Sequence, residues 1–187
     1  VLDYHRFGSD TLLAFYRDEY DVIRRHSPQV PVTTNFMTMS QFRLLDYHDW
    51  APHQDVVSTD HYVVDSLPHP RAELSFCGDL TRGLAGGRPW MLMEHSTSAV
   101  NWQHVNPAKV PGGTILDSLA HVARGADTLG FFQWRQSRSG SEKFHSALVP
   151  HAGEDSDRFR EVCELGAIAD RLGEVLGSRV DADVAVL

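Results

Sequence analysis

Cysteines and long apolar runs are scarce in this 187-residue sequence. Its two cysteines, Cys77 and Cys163, are too few for a disulfide framework or for a zinc site with four thiolates, and this fits a reducing, cytoplasmic location. No apolar run approaches the ~20 residues that cross a bilayer. No charged start followed by an apolar stretch is visible, so we do not expect a secretory signal.

Positive charge is also in deficit, and this argues against two kinds of partner. The sequence has 17 Lys and Arg against 25 Asp and Glu, which gives a formal net charge of -8. Nucleic acids and anionic membranes are bound through basic surfaces, so neither is expected as a partner. The hydrophobic share of 42% is sufficient for a packed core, and the length suits one domain, or one domain with the edge of another.

The two ends of the sequence suggest a piece of a longer chain. The sequence begins at Val1 without an initiator Met, and it closes on the apolar run 184–187 (VAVL), which predicts the start of a strand. We therefore expect a fragment of a longer protein, in which residues 184–187 start a new element.

Helical and strand-like patterns alternate along the chain. Short apolar or β-branched segments predict strands at residues 30–37, 55–59, 89–93 and 128–134. Apolar residues at helical spacing predict helices at residues 9–25, 40–50, 70–84, 113–124 and 156–176. Such alternation predicts an α/β fold with a parallel sheet covered by helices. Because no glycine-rich phosphate loop follows a strand, a (β/α)8 barrel is favoured over an open doubly wound sheet, and four strands make about half of one.

Functional groups of such barrels cluster where the strands end. Glu94 directly follows four apolar strand residues, 90–93, so its carboxylate is expected at the rim of the sheet, where a nucleophile or a general acid/base would lie. An ion pair with a buried Arg, or a helix cap, is an equally good interpretation. Trp102 offers an aromatic plane for the apolar C–H face of a pyranose, or it only packs its loop down.

Other candidates near the strand ends are more ambiguous. Glu142 and His145 lie in a polar loop after the fourth strand, where they either bind sugar hydroxyls or belong to a solvated turn. Tyr62 and Asp60 follow the second strand with the same two interpretations. Asn35, at the end of the first strand, either binds substrate or caps a turn.

The 11 histidines do not predict a metal site by their spacing. Neither His48 with His53 nor His145 with His151 has the i, i+4 spacing of a zinc-binding helix. Cys77 lies on the apolar face of a predicted helix and is expected in the core. No G-x-S-x-G nucleophile elbow occurs. We therefore expect neither a metal nor a cofactor among these residues.

Five ordered blocks of the sequence resemble glycoside hydrolase family 42 β-galactosidases. These blocks are residues 2–10, 32–37 (VTTNFM), 57–62 (VSTDHY), 90–94 (WMLME) with Asn101-Trp102, and 131–135 (FFQWR) with 142–145 (EKFH). By this resemblance the chain is the second half of a TIM-barrel catalytic domain, strands 5–8 with their helices. The same resemblance implies that residues 1–177 belong to this barrel and that residues 178–187 begin a second α/β domain of the kind involved in trimerisation.

The resemblance implies a retaining glycosidase that releases terminal β-D-galactosyl groups from galactoside oligosaccharides by double displacement. It implies Glu94 as the nucleophile, and Trp102, Glu142, His145 and Tyr62 as substrate-binding residues.

The same resemblance implies that parts of the enzyme lie outside this sequence. The family's acid/base Glu follows an Asn at the end of the fourth strand, and no Asn-Glu pair occurs here, so the chain alone is expected to be inactive. Some family members hold zinc through cysteines in the first half of the barrel, which this sequence does not include. Family members are typically homotrimers.

Two alternatives stay open. A related glycosidase of the same clan, such as an α-L-arabinopyranosidase, would share Glu94 and differ in how it binds the sugar hydroxyls. A non-catalytic carbohydrate-binding barrel would keep the fold and lack the chemistry, and the presence or absence of the upstream carboxylate discriminates it from an enzyme.

Overall fold

The computed structural model describes residues 1–39, 42, 44–66, 68–181 and 183–184. Within these residues the strands are β1 (Asn35–Phe36), β2 (Ser58–Asp60), β3 (Trp90–Glu94) and β4 (Ala126–Leu129). The α-helices are α1 (Leu2–His26), α2 (Tyr47–Trp50), α3 (Pro70–Leu84), α4 (Gly113–Val122) and α5 (Asp157–Ala169). Short 3-10 helices cover Ala51–His53, Ser141–Phe144 and Gly173–Val175.

The parallel sheet places the polar residues that end its strands at one end of the molecule. All neighbouring strands pair in parallel, and their order in the sheet, β1-β2-β3-β4, is their order along the chain. A strand order that never reverses is that of a barrel, whereas a doubly wound sheet reverses at a switch point. The register pairs Asp60 with Glu94, so two carboxyl groups end neighbouring strands side by side.

Large apolar side chains form the core around this sheet. Trp90 and Leu92 of β3 are 1% and 0% exposed, and Phe36 of β1 is 1% exposed. The Phe36 ring stacks on Tyr47 of α2 with 4.1 Å between ring centroids. The indole N–H of Trp90 donates to the carbonyl oxygen of Arg124 at 3.0 Å, which ties β3 to the segment that follows α4.

The first strand is shorter than the sequence predicts. Residues 30–34 lie outside β1, and side chains rather than strand pairing satisfy several of their backbone groups. The Val32 N–H donates to the Asp55 carboxylate at 2.7 Å, and the Ser58 hydroxyl donates to the carbonyl oxygen of Thr34 at 3.0 Å.

Several other predicted bounds were wrong. The first helix starts at Leu2 rather than Ser9. The helix predicted over 40–50 is limited to Tyr47–Trp50, after a cap in which the Asp46 side chain accepts from the His48 N–H at 3.1 Å; residues 40, 41 and 43 lie outside the described residues. Ser156 caps α5 as predicted, but the helix ends at Ala169.

The last ten residues were predicted to begin a second domain. Of these, residues 182 and 185–187 lie outside the described residues, so that domain stays a prediction. Across the described ranges, none of the helices combines the length and the apolar character that crossing a membrane demands.

Strand β4 ends earlier than predicted, at Leu129, because Gly130 turns against β3. The Gly130 N–H donates to the carbonyl oxygen of Leu92 at 2.7 Å. A Cβ atom at this position would overlap the carbonyl oxygen of Met93, so only glycine fits beside the end of β3. This close approach lies one residue from Glu94.

We predict that Gly130→Ala destabilises a full-length protein containing this chain by about 2 kcal/mol or more, because the added methyl group must push the two backbones apart. Gly8→Ala is the matched control: its Cβ meets nothing within 4 Å inside α1, and alanine favours a helix by about 0.5–1 kcal/mol over glycine. Thermal or denaturant unfolding measures both. Equal stability of the two variants would contradict the close approach.

Candidate active site

One cavity at the carboxyl ends of the strands brings together the five residues to which the family resemblance gave a catalytic or substrate-binding role. Its volume is about 310 Å³. The predicted residues that line it are Tyr62, Glu94, Trp102, Glu142 and His145. Glu94 ends β3 and the other four lie in the segments that follow β2, β3 and β4, so the parallel order of the sheet is what makes them converge.

Glu94 is held at the cavity by β3 and by a tyrosine from the neighbouring strand. It is the last residue of β3, and the Tyr62 hydroxyl donates to its Oε2 atom at 2.6 Å. Burial raises the pKa of Tyr62, and the hydrogen bond to Glu94 raises it further, so the phenol remains a donor. Within the described part of the chain, Oε1 of Glu94 accepts no hydrogen bond. One carboxylate oxygen is thus oriented and the other is available for chemistry.

A second carboxyl group, that of Asp60, lies beside Glu94 in the sheet. Asp60 is 3% exposed, and the Asn35 side-chain amide donates to its Oδ2 atom. Burial raises the pKa of Asp60 to about 7; the Asn35 hydrogen bond opposes this rise and the Glu94 charge adds to it. Asn35, predicted to bind substrate or cap a turn, therefore holds Asp60 instead. A neutral Asp60 spares Glu94 a like charge on the neighbouring strand.

Trp102 supplies an aromatic surface on the open side of the cavity. Its side chain is 50% exposed, and its ring meets the Tyr62 ring edge-on, with 5.5 Å between centroids and 89° between planes. Tyr62 is almost fully buried, at 6% exposure. A buried tyrosine thus supports a tryptophan that is free to pack against a ligand.

Glu142 is fixed by the loop that carries Trp102. The Asn101 amide donates to Glu142 Oε2 at 3.1 Å, and the Gln133 amide donates to the Glu142 backbone oxygen at 3.3 Å. The loops after β3 and β4 are therefore joined at the cavity. The carboxylate belongs to the 3-10 helix Ser141–Phe144, which the sequence analysis had considered as a solvated turn.

Among the described residues, one ring nitrogen of His145 has no hydrogen-bond partner. The side chain is 1% exposed, and its Nδ1–H donates to the carbonyl oxygen of Ser146 at 2.9 Å. This leaves Nε2 as an acceptor, and it has no hydrogen-bond partner among the residues described. The rings of Tyr62 and Phe132 meet it edge-on, at 5.9 and 4.9 Å between centroids. A buried, oriented acceptor of this kind suits a hydroxyl group of a ligand.

The apolar part of the cavity wall was not predicted from the sequence. It consists of Met37, Met39, Phe42 and Phe132. Met37 and Phe132 belong to segments that had been predicted as strands, where an inward-facing apolar residue looks like ordinary core. The position of Phe132 beyond the true end of β4 becomes visible only when the turn at Gly130 is known.

A parallel barrel sheet with a carboxylate, a tryptophan and a histidine around one cavity at its strand ends is the arrangement of a barrel glycoside hydrolase. The model of glycoside hydrolase family 42, described as beta-galactosidase, matches residues 1–172. The chain belongs to this family, and the resemblance inferred from five sequence blocks is confirmed.

Individual relatives agree with the family match. A β-galactosidase of Arthrobacter sp. is 54% identical over 186 residues, covering 100% of this chain and 27% of that protein. A β-galactosidase of Bifidobacterium bifidum is 48% identical over 190 residues, again covering 100% of this chain and 27% of that protein. The chain thus spans about 27% of the length of these curated relatives.

A solved structure confirms the fold class, part of an α/β barrel. The cold-adapted β-galactosidase of Rahnella sp. R3 superposes with a TM-score of 0.92 at 41% identity. The match covers 97% of this chain and 27% of that chain.

We predict that Asp60 makes stability fall as pH rises. The native carboxyl keeps its proton up to about pH 7, whereas the unfolded one loses it near its ordinary pKa of 3.8, so the native state binds more protons between these values. Asp60→Asn should therefore stabilise a full-length protein more at pH 8 than at pH 5. The expected difference is roughly 2 kcal/mol after allowance for solvent screening.

The control for this experiment is Asp18→Asn, which removes an exposed carboxylate on α1. Denaturant unfolding at both pH values measures the effect. A stability gain from Asp60→Asn that is the same at pH 5 and pH 8 would show that the Asp60 carboxyl titrates normally.

Proposed function

We propose that this chain forms the part of a retaining β-galactosidase barrel that carries the nucleophile, Glu94. The substrate is a terminal β-D-galactosyl group of a galactoside. The observation that carries the proposal is the convergence of Glu94, Trp102, Glu142 and His145 on a single cavity, in a chain that belongs to glycoside hydrolase family 42. Glu94 is the only one of these residues that terminates a central strand.

The chemistry assigned to Glu94 follows from its two oxygens. Tyr62 holds Oε2 through its hydroxyl, so Oε1 attacks the anomeric carbon and displaces the aglycone oxygen. A glycosyl ester on Glu94 results with inversion at the anomeric carbon. Its hydrolysis by water inverts that carbon again, so the configuration is retained overall. Because the Tyr62 proton stays on the phenol, it stabilises the carboxylate when Glu94 leaves the sugar again.

The leaving oxygen needs a proton from a second carboxyl group, ~5–5.5 Å from the nucleophile in retaining enzymes. Asp60 is buried and bound by Asn35, and Glu142 is bound by Asn101. We therefore assign the acid/base role to a residue that another part of a complete barrel contributes.

The remaining cavity residues suit a galactose ring. Trp102 offers its plane to the apolar C–H face of the sugar. Glu142 accepts hydrogen bonds from hydroxyl groups, and Nε2 of His145 accepts another. Galactose would thus stack one face on Trp102 and donate hydrogen bonds from its hydroxyl groups to Glu142 and His145. The cytoplasmic location and the homotrimer stay predictions from the sequence.

We predict that a 2-deoxy-2-fluoro-β-galactoside with an activated leaving group labels Glu94 in a full-length protein that contains this chain. The fluorine slows hydrolysis of the ester, so the covalent intermediate accumulates. Peptide mass spectrometry locates the label. Glu94→Gln should lose the label and lower kcat by at least about a thousandfold.

The matched control is Glu142→Gln, which should raise KM and still be labelled at Glu94, because it changes a binding carboxylate and leaves the nucleophile. A label on any other residue would contradict the assignment. Binding of galactose without turnover of any galactoside would favour the non-catalytic barrel.

We predict that Trp102→Ala weakens competitive inhibition by galactose about tenfold, as expected when a stacked aromatic surface is lost. Trp134→Ala serves as the control, since Trp134 is also in a loop after a strand, is 69% exposed and does not line the cavity. Inhibition constants measure both. Unchanged inhibition in Trp102→Ala would exclude stacking.

A further inference from the structure

A second group of chemically reactive side chains lies between β2 and α3, apart from the residues that line the cavity. It consists of His61, Glu73 and Cys77, whose ligand atoms all lie within 4.8 Å of one another. His61 directly follows β2, and the other two are four residues apart on α3, so they occupy one face of that helix. His61 and Cys77 are 0% exposed.

The imidazole of His61 is fully buried, at 0% exposure. Neither of its ring nitrogens has a hydrogen-bond partner within the part of the chain that the structure describes. The nearest carboxylate oxygen, Oε2 of Glu73, is 3.9 Å from Nε2, which is beyond hydrogen-bond distance. A buried imidazole in this condition costs free energy unless something else binds it.

The donor set is that of a transition-metal site. An imidazole nitrogen, a thiolate sulfur and a carboxylate oxygen are all ligands of Zn²⁺, whereas Ca²⁺ and Mg²⁺ select oxygen alone. With Cys77 and Glu73 ionised and His61 neutral, the two negative charges balance a divalent cation. A site without net charge suits a position this deep in the protein.

The distances require only small side-chain movements. Zinc bonds of ~2.0–2.3 Å separate tetrahedral ligand atoms by roughly 3.3–3.8 Å, so the three donors must close by about 1 Å. The Glu73 side chain is 14% exposed, and its Oε2 atom already lies 3.9 Å from Nε2 of His61. The same exposure admits a water molecule as the fourth ligand.

A second buried histidine, His121, lies next to His61. The ring of His121, on α4, meets the ring of His61 edge-on at 5.0 Å between centroids. It is likewise 0% exposed, with no hydrogen-bond partner at either nitrogen among the described residues. Its imidazole therefore offers a further donor within the same buried layer.

We propose that His61, Glu73 and Cys77 form a structural zinc site that fastens α3 to the end of β2. On binding, Zn²⁺ replaces the proton on Sγ of Cys77, and this proton passes to solvent. The S–H donor that now reaches the carbonyl oxygen of Thr38 at 3.4 Å is exchanged for a Zn–S bond. No electron is transferred, and the site is independent of the proposed glycosidase chemistry.

The test uses a full-length protein that contains this chain, stripped with a chelator and then dialysed against Zn²⁺ alone or Co²⁺ alone. Elemental analysis should find one more zinc per chain in the wild type than in Cys77→Ser. The zinc affinity of Glu73→Gln should be at least tenfold lower than that of the wild type. Cys163→Ser, which changes an exposed cysteine on α5, is the matched control and should keep the wild-type stoichiometry. With Co²⁺, the thiolate charge-transfer absorption should be lost in Cys77→Ser and kept in Cys163→Ser.

A measurement on the wild-type protein tests the proposal even if a variant fails to fold. In dilute denaturant, Zn²⁺ should slow alkylation of Cys77 at least tenfold and leave alkylation of Cys163 unchanged. Equal metal content in wild type and Cys77→Ser, or alkylation of Cys77 that zinc does not slow, would overturn the proposal. So would a crystal structure grown with zinc that shows only water among the three side chains.

Discussion

The structure depends on the position of β3 between β2 and β4. Both neighbours pair with it in parallel, and its buried residues Trp90 and Leu92 fix it against the helices. The backbone that presents Glu94 is therefore held on both sides, while the carboxylate reaches the cavity. Catalytic groups mounted on such rigid elements keep their orientation better than groups on loops. The loops that carry Trp102 and Glu142 then only need to reach this fixed point.

Parallel pairing also places a second carboxyl group where it influences the first. Asp60 and Glu94 occupy paired positions, so ionising both puts two like charges side by side in a buried region. Burial raises the pKa of Asp60 to about 7, while Tyr62 donates its hydrogen bond to Glu94 instead. Below about pH 7 the protonated Asp60 therefore places no like charge beside the residue proposed as the nucleophile.

Local patterns were sufficient to predict some of this and not the rest. Glu94 was recognisable because four apolar residues lead into it, and the strands and helices were recognisable from their periodicity. The end of β4 was not, because it depends on how closely Gly130 approaches Met93, a contact between segments far apart in sequence. The group of His61, Glu73 and Cys77 was missed for the same reason: only the packing of α3 against the end of β2 brings an isolated histidine to the helix.

The most direct test of the central claim is a crystal structure of a full-length protein containing this chain with galactose bound. The account predicts that the anomeric carbon lies within reach of Oε1 of Glu94, that Trp102 covers one face of the sugar, and that Glu142 and His145 bind its hydroxyl groups. Galactose bound away from these residues, or a Glu94 carboxylate directed away from the sugar, would contradict the account.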